Sequence, residues 1–310
     1  MTPPRSNAVA VGPEEDRITV SAIERGGAVV APLADASGLV WTEGPSRFPT
    51  ALPSTVEWVQ LPSAGVEAWF EAGVFDAHSS VLFTSAAGAY AATVAEHALA
   101  LLLAGVRALP EHLEARSWQQ ERFLSKVGTL RGSTVTILGA GGIGRALIPP
   151  LTALGAEVVA VNRSGRPVPG AVRTLPVTAL ADVWPGTDHV VIAAPATPAT
   201  RHLVGAQELA RLQKHSWLIN VARGSLVDTD ALVDALTART IGGAGLDVTD
   251  PEPLPDGHPL WTLPNAIVTP HDSNPTALRH AAYADHVASN VARFVAGETL
   301  AARIDSTQGY

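Results

Sequence analysis

The fold of this chain is indicated most clearly by the stretch Thr134-Val-Thr-Ile-Leu-Gly-Ala-Gly-Gly-Ile-Gly144. Its first five residues combine apolar and β-branched side chains, which predicts a buried strand. A G-x-G-x-x-G pattern follows at once, and a helical stretch begins there. A strand, a glycine turn and a helix in this order are typical of a turn that holds the pyrophosphate of a dinucleotide. Since the chain has 27 glycines, an ordinary turn is the alternative.

Each glycine of this turn has a physical task in such a site. Gly139 permits the tight turn, Gly141 lets the backbone approach a pyrophosphate, and Gly144 lets the helix pack on the strand. The amino end of the helix then faces the phosphates. Pro149 and Pro150 lie in the third turn of the same helix, where we expect a bend. The predicted cofactor contacts on the turn are Gly139, Gly141, Gly142, Ile143 and Gly144.

Strands and helices alternate regularly from about Ser133 onward. Short apolar strands joined by helical crossovers predict a parallel sheet covered on both faces. The fold class is therefore α/β, with a Rossmann-type doubly wound sheet. The predicted strands are Thr134 to Leu138, Glu157 to Val161, His189 to Ala194, Trp217 to Val221, Gly243 to Asp247 and Ala266 to Thr269.

The first third of the chain predicts a smaller, flavodoxin-like α/β domain. We assign residues 1–100 and 278–310 to it, because the closing helix, about Ala277 to Ala296, has no obvious sheet partner in the second domain. Residues 101–277 form the predicted dinucleotide-binding domain. Met1 to Asp16 is rich in proline and polar residues and is expected to be a loose tail. The predicted strands are Ile18 to Ser21, Ala28 to Ala31, Leu39 to Trp41, Val56 to Leu61 and Val81 to Thr84.

One helical stretch, Thr93 to Leu109, has almost no polar surface. Apolar side chains recur at helical spacing along it, and Pro110 marks its expected end. A helix of this kind must be buried, either inside the protein or between two subunits. We favour the interface of a homodimer, with a purely internal helix as the alternative.

Composition limits the remaining possibilities. A chain of 310 residues, with 46% hydrophobic and 16% charged residues, predicts two compact domains. The absence of cysteine excludes disulfides, thiolate catalysis and cysteine-ligated metals, and agrees with a cytoplasmic location. No metal site is predicted. A net charge of -8 argues against nucleic acid as a partner. The longest apolar run, Ala98 to Val106, is too short for a membrane span.

The residues after the second strand of the main sheet bear on the choice of cofactor. Asn162 stands where an acidic residue would bind the ribose hydroxyls of NAD. Asn162 cannot repel a 2'-phosphate, whereas Arg163 and Ser164, with Arg166 nearby, can bind one through charge-assisted hydrogen bonds. NADP is therefore favoured and NAD remains possible. A solvated surface turn is the alternative interpretation.

Three segments that follow later strands resemble the D-isomer-specific 2-hydroxyacid dehydrogenase family, in its glyoxylate/hydroxypyruvate reductase-like branch. By this resemblance Arg223 is the catalytic arginine, Glu252 supports the catalytic histidine, and His271 is the acid/base. The segments are Ile219-Asn-Val-Ala-Arg-Gly-Ser-Leu-Val-Asp228, Gly243-Ala-Gly-Leu-Asp-Val-Thr-Asp-Pro-Glu-Pro-Leu254 and Asn265-Ala-Ile-Val-Thr-Pro-His271.

These three residue types suit the reduction of a 2-oxo acid. A guanidinium fork binds the substrate carboxylate and polarises the 2-oxo group, and a histidine delivers a proton as the hydride arrives. A neighbouring carboxylate favours the protonated imidazole, so reduction is expected to slow as pH rises. Singly, each has a plain alternative: an arginine that caps carbonyls, a solvated glutamate or a histidine at a strand end.

The resemblance implies further contacts. The smaller domain becomes the substrate domain, in which the backbone of Ser63, Ala64 and Gly65 holds the substrate carboxylate; an ordinary turn is the alternative. Val94 to Leu99 resembles the start of the family's dimer helix, and Trp118 is a candidate contact from a partner subunit. Residues implied near the cofactor are Pro195, Thr200, Val221, Ala222 and Asp247.

The expected activity is therefore reduction of a small 2-oxo acid, of the glyoxylate or hydroxypyruvate type, to the D-2-hydroxy acid by an NAD(P)-dependent oxidoreductase. Two alternatives stay open. One is a dinucleotide-sensing interaction protein that lacks catalysis, and the other is a formate or phosphite type of dehydrogenase. Departures from the family pattern at Thr136, Asn162 and Asp272-Ser273-Asn274 leave cofactor and substrate open.

Overall fold

The computed structural model describes residues 7–305. The chain divides into two compact units, Met1–Tyr90 with Pro275–Tyr310 and Ala91–Asn274. The boundaries predicted from the sequence, after residues 100 and 277, lie later in the chain than these two, which follow Tyr90 and Asn274. The first of them would cut the helix Ala91–Val106, which is continuous and lies wholly in the second unit.

The first unit is built on a five-stranded parallel sheet. The strands lie in the order β2-β1-β3-β4-β5, which is the flavodoxin-like order. Its elements are β1 (Ala8–Gly12), α1 (Arg17–Arg25), β2 (Val29–Val30), β3 (Gly38–Trp41), β4 (Trp58–Gln60), α2 (Glu67–Glu71), α3 (Val74–Ala77) and β5 (Leu82–Thr84).

Two predictions for this unit were wrong. Strand β1 lies inside the segment expected to be a loose tail and pairs with both β2 and β3, while residues 1–6 lie outside the described part of the chain. The predicted strand Ile18 to Ser21 is part of helix α1, whose start is capped by the side chain of Asp16. The Asp16 carboxylate accepts hydrogen bonds from the backbone N–H groups of Ile18 and Thr19, at 3.0 and 2.9 Å.

The second unit is built on a seven-stranded parallel sheet in the order β12-β11-β10-β9-β6-β7-β8. Its strands are β6 (Thr134–Leu138), β7 (Glu157–Asn162), β8 (Arg173–Pro176), β9 (His189–Ile192), β10 (Trp217–Asn220), β11 (Gly243–Leu246) and β12 (Ala266–Val268). Its helices are α4 (Ala91–Val106), α5 (Leu109–Glu114), α6 (Gln120–Leu124), α7 (Gly142–Ala153), α8 (Ala206–Leu209) and α9 (Thr229–Thr237). The sequence order reverses between β6 and β9, so the doubly wound fold class is confirmed.

Helix α4 packs against α7 and against strands β10 and β11 of its own unit. Glycines make this close packing possible. A Cβ on Gly105 would lie 2.2 Å from Cδ2 of Trp217, and a Cβ on Gly245 would lie 3.0 Å from Cβ of Leu101. The apolar character of α4 is therefore explained in part by burial within the second unit.

Two further expectations concern helices. Helix α7 continues through Pro149 and Pro150 to Ala153, so the prolines do not interrupt it. The closing helix α10 (Thr276–Ala296) belongs to the first unit, where Val287 and Val291 join a core with Ile23 and Trp58. Among residues 7–305, no helix has both the length and the apolar character that a membrane span requires.

Candidate functional site

The glycine turn between β6 and α7 is shaped by two glycines that packing requires. Gly139 has a φ of +99°, and a Cβ there would lie 2.4 Å from the backbone nitrogen of Ala194. A Cβ on Gly144 would lie 2.6 Å from the carbonyl oxygen of Gly139. Neither position can hold a larger residue without a shift of the backbone, so helix and strand come together here as the sequence predicts.

Gly141 differs from these two glycines because no heavy atom lies within 4 Å of the place its Cβ would occupy. It caps the amino end of the 12-residue helix α7, and both Gly141 and Gly142 are exposed. Open space in front of a helix amino end fits the phosphates of a dinucleotide, which would approach the backbone there. Arg145, missed in the sequence, adds a cation in the first turn and donates from Nε to the carbonyl of Ala140 at 3.2 Å.

The loop after β7 is organised by the side chain of Asn162. Its Oδ1 accepts hydrogen bonds from the backbone N–H groups of Ser164 and Gly165, at 3.1 and 2.6 Å, and its Nδ2 donates to the carbonyl of Arg166 at 2.8 Å. Arg163, Ser164 and Arg166 are exposed on this loop. A folded loop that displays two arginines and a hydroxyl can bind a phosphate group.

The loop from Pro195 to Thr200 is closed by a hydroxyl. Oγ1 of Thr200 donates to the carbonyl of Pro195 at 2.8 Å and accepts from the backbone N–H of Thr197 at 2.8 Å. The Thr200 side chain is therefore engaged within its own loop, and its predicted contact with a cofactor stays a prediction.

Arg223 follows β10 in a loop that Asn220 holds. Asn220 is 1% exposed; its Nδ2 donates to the carbonyl of Arg223 at 2.8 Å, and its Oδ1 accepts from the N–H of Ala222 at 3.0 Å. The guanidinium of Arg223 donates to the carbonyl of Ala222 at 2.7 Å and is half-buried. Val221 and Ala222 are buried.

The residue after the arginine ties this loop to the segment that carries Glu252. A Cβ on Gly224 would lie 1.9 Å from the carbonyl carbon of Thr249, so the two backbones are in direct contact. The loops after β10 and β11 therefore support each other. Only a glycine at position 224 allows this backbone contact. The sequence motif contains the glycine but does not indicate that the contact requires it.

His271 and Glu252, two of the predicted catalytic residues, form a hydrogen-bonded pair. Nδ1 of His271 lies 2.7 Å from Oε1 of Glu252, and the two side chains are 47% and 42% exposed. Oε2 of Glu252 accepts from the backbone N–H of Thr249 at 3.4 Å, which orients the carboxylate. The pair follows strands β11 and β12, and Arg223 follows the adjacent strand β10, so all three lie at the carboxyl edge of one sheet.

Asp247, at the end of β11, has a buried carboxylate, with the residue 1% exposed. It accepts hydrogen bonds from the hydroxyl of Thr269 at 2.7 Å and from the N–H groups of Asp272 and Ser273 at 3.1 and 3.3 Å. Its carboxylate therefore organises the segment around His271.

The predicted carboxylate loop, Ser63 to Gly65, belongs to the first unit and follows β4. The carbonyl of Ser63 accepts from the N–H of Ala86 at 2.8 Å, and the hydroxyl of Tyr90 donates to the carbonyl of Pro62 at 2.6 Å. Burial raises the pKa of Tyr90 to about 12, with Arg279 acting in the opposite direction. Tyr90 therefore stays protonated and holds the loop, a role that the sequence did not suggest.

Three comparisons with known proteins agree with this geometry. Residues 98–273 match the model of the D-isomer specific 2-hydroxyacid dehydrogenase, NAD binding domain. An uncharacterized protein in the proB 3' region of Corynebacterium melassecola is 40% identical over 295 residues, 94% of this chain and 96% of that protein. Glyoxylate reductase/hydroxypyruvate reductase of Homo sapiens is 36% identical over 189 residues, 59% of this chain and 58% of that protein.

A solved structure resembles the whole chain. It is a D-isomer specific 2-hydroxyacid dehydrogenase from Xanthobacter autotrophicus Py2 in complex with NADPH and MES. The comparison gives a TM-score of 0.81 at 29% identity and covers 98% of this chain and 100% of the other.

Proposed function

Since the chain belongs to the D-isomer specific 2-hydroxyacid dehydrogenase family, whose NAD binding domain it contains, we propose that it reduces a small 2-oxo acid to the D-2-hydroxy acid. The proposed substrates are of the glyoxylate or hydroxypyruvate type, and the proposed acid is His271. The human relative, named for both of these substrates, supports this choice.

The pair of His271 and Glu252 is the observation that carries the proposal. With Nδ1–H donated to Oε1 of Glu252 at 2.7 Å, the protonated imidazole presents its second hydrogen on Nε2. Nε2 has no hydrogen-bond partner among residues 7–305 and lies on a half-exposed ring. His271 can therefore give that proton to the carbonyl oxygen of a substrate and retain the hydrogen on Nδ1.

Arg223 is proposed to bind the carboxylate and the 2-oxo oxygen of the substrate. Its planar guanidinium offers several N–H donors, one of which is already oriented by the carbonyl of Ala222. Asn220 and Gly224 fix the backbone on both sides of it. A bound nicotinamide dinucleotide would supply the hydride that reduces the carbonyl carbon.

We propose NADPH as the preferred cofactor. Glycines 139, 141, 142 and 144, with Ile143, would hold the pyrophosphate, and the loop of Asn162, Arg163 and Ser164 would hold the 2'-phosphate. Pro195, Thr200, Val221, Ala222 and Asp247 remain proposed neighbours of the nicotinamide. The similar solved structure, which contains NADPH, agrees with this proposal.

The test is a reductase assay with NADPH and NADH on glyoxylate, hydroxypyruvate and larger 2-oxo acids. We expect turnover by the wild-type protein and a loss of kcat in the His271→Gln variant of about 10²-fold to 10⁴-fold, the range for a general acid. NADPH should bind both proteins equally. NADPH binding without turnover on any 2-oxo acid would instead identify a dinucleotide sensor.

A homodimer is proposed as the working form. Four large apolar side chains on α5, α6 and the segment between them are exposed, which is unusual for a surface that stays in water. They are Leu109 (47%), Leu113 (79%), Trp118 (90%) and Leu124 (70%). Light scattering should give twice the chain mass of 32.1 kDa, and Leu113→Glu with Trp118→Glu should give a monomer. A wild-type monomer would contradict the proposal.

A further inference from the structure

A histidine on helix α4 contacts the segment that carries the proposed acid. Nε2 of His97 lies 2.9 Å from Oγ1 of Thr269 and 3.5 Å from Oδ1 of Asp247. Oγ1 of Thr269 lies 2.7 Å from the same Oδ1. His97, Thr269 and Asp247 thus form a chain of hydrogen bonds from α4 to the ends of β12 and β11, all within the second unit.

The direction of these hydrogen bonds follows from their chemistry. An ionised carboxylate can only accept, so the single hydrogen of the Thr269 hydroxyl is donated to Asp247. Oγ1 of Thr269 must then accept from His97, and Nε2 of His97 must carry a hydrogen. The imidazole therefore acts here as a donor that orients the hydroxyl.

Asp247, the acceptor at the end of this chain of hydrogen bonds, holds the backbone of the segment that begins at His271. Carboxylate oxygens of Asp247 accept the N–H groups of Asp272 and Ser273, and its carbonyl accepts the N–H of His271 at 2.9 Å. His271 has a φ of +54°, a left-handed conformation that is unfavourable for a residue with a Cβ. The direction in which its ring points depends on this conformation.

We propose that His97 is a positioning residue for His271. By orienting Thr269 and Asp247, it keeps the segment 271–273 in the left-handed turn that directs the imidazole toward Glu252 and the substrate. This inference rests on the proposed function, because it assigns His97 a task in that reaction.

An alternative role for the same residues is to bind a cation. Ligand atoms of His97, Asp247 and Asp272 lie within 4.8 Å of one another. A cation bound through Nε2 of His97 would need the lone pair of that nitrogen, which instead carries the hydrogen that Thr269 accepts. The hydrogen-bonded arrangement therefore favours positioning over ligation.

The test compares variants that remove or keep the donor. His97→Phe and Thr269→Val should each lower kcat about 10-fold to 100-fold, the scale of a small misplacement of a reacting group. The Kd for NADPH should change less than about threefold. His97→Gln, which keeps an N–H at this reach, and Thr269→Ser should retain kcat within about threefold. His215→Phe, a histidine at the opposite end of the strands, is the control for ring replacement.

A second readout does not depend on turnover. Hydrogen–deuterium exchange of a peptide covering residues 269–275 should be about tenfold faster in His97→Phe and Thr269→Val than in the wild type, because the amides of Asp272 and Ser273 lose protection. The Gln and Ser variants should exchange like the wild type. If His97→Phe does not fold, the two Thr269 variants decide the question.

Three results would overturn the inference: wild-type kcat in His97→Phe, equal losses in His97→Gln and His97→Phe, or unchanged exchange of the peptide. Restoration of wild-type kcat to a metal-stripped protein by added divalent cation would favour ligation instead. A wild-type protein that reduces no 2-oxo acid would overturn the proposed function, and the exchange result would still decide whether His97 holds the segment.

Discussion

Asn162 uses both atoms of its side-chain amide on the backbone of its own loop. Oδ1 accepts two N–H groups and Nδ2 donates to the carbonyl of Arg166. The residue therefore shapes the loop that displays Arg163 and Ser164. Under the proposed preference for NADPH, its neutral side chain would also avoid repelling a 2'-phosphate.

An Asn162→Asp variant tests the effect of charge and also removes the hydrogen bond that Nδ2 donates to the carbonyl of Arg166. The carboxylate can still accept from Ser164 and Gly165, but it adds a charge that repels a 2'-phosphate and can accept ribose hydroxyls. We expect the ratio of kcat/KM for NADPH over NADH to fall about 10-fold to 100-fold, or about 1.4 to 2.8 kcal/mol. Arg163→Ala is the companion variant and should raise KM for NADPH while NADH is used as before. An unchanged ratio in both would contradict the assignment of this loop.

At the scale of elements, the glycine turn joins β6 to α7 with glycines of two kinds. Gly139 and Gly144 lie against the backbone and side chains of the second unit, whereas Gly141 faces open space. The first kind is required by packing, and the second is available for a ligand.

The contrast predicts opposite results for two alanine variants. Gly144→Ala should lower the Tm of the cofactor-free protein by several degrees, because overpacking costs about 1 to 3 kcal/mol. Gly141→Ala should leave that Tm unchanged within about one degree and raise the Kd for NADPH at least about tenfold, since a methyl group would stand where the phosphates approach. Scanning calorimetry and fluorescence titration measure the two effects. Equal NADPH affinity in Gly141→Ala and the wild type would show that no phosphate approaches this backbone.

At the scale of the whole molecule, acid stability depends on a buried histidine far from the glycine turn. His189 begins β9, is 3% exposed, and accepts the backbone N–H of Trp217 on Nδ1 at 3.2 Å. Burial lowers the pKa of His189 to about 4, and the nearby His215 acts in the same direction. The unfolded chain therefore binds this proton more strongly than the folded protein does.

The sign of the pH effect follows from that difference. Stability from a neutral His189 is complete above pH 6.5 and is lost progressively as pH falls toward 4. Between pH 7 and 4.5 the wild type should lose about 2 kcal/mol of unfolding free energy more than a His189→Asn variant, whose amide oxygen can still accept from Trp217. Urea titrations at both pH values measure this, and parallel losses in the two proteins would refute it.

Those parts of the protein that depend on residues close together in the chain can be predicted from the sequence. The glycine turn, the strands of the main sheet other than β8, and the positions of Arg223, Glu252 and His271 after strand ends all follow from local pattern, short motifs and the family resemblance. Strand β1 could not be predicted in this way, because its five residues lie in a proline-rich segment and form a strand only by pairing with β2 and β3.

The contacts by which distant residues support the proposed site become visible only in the folded protein. His97 and Thr269 are 172 positions apart in the chain, and Gly224 contacts Thr249 across the ends of neighbouring strands. Tyr90 reaches Pro62 in the same way. Neither periodicity nor a motif predicts such contacts. The contacts depend on the order of the strands in the sheet and on which helix packs against those strands. The residue types of the proposed site can therefore be read from the sequence, whereas the groups that hold them in place cannot.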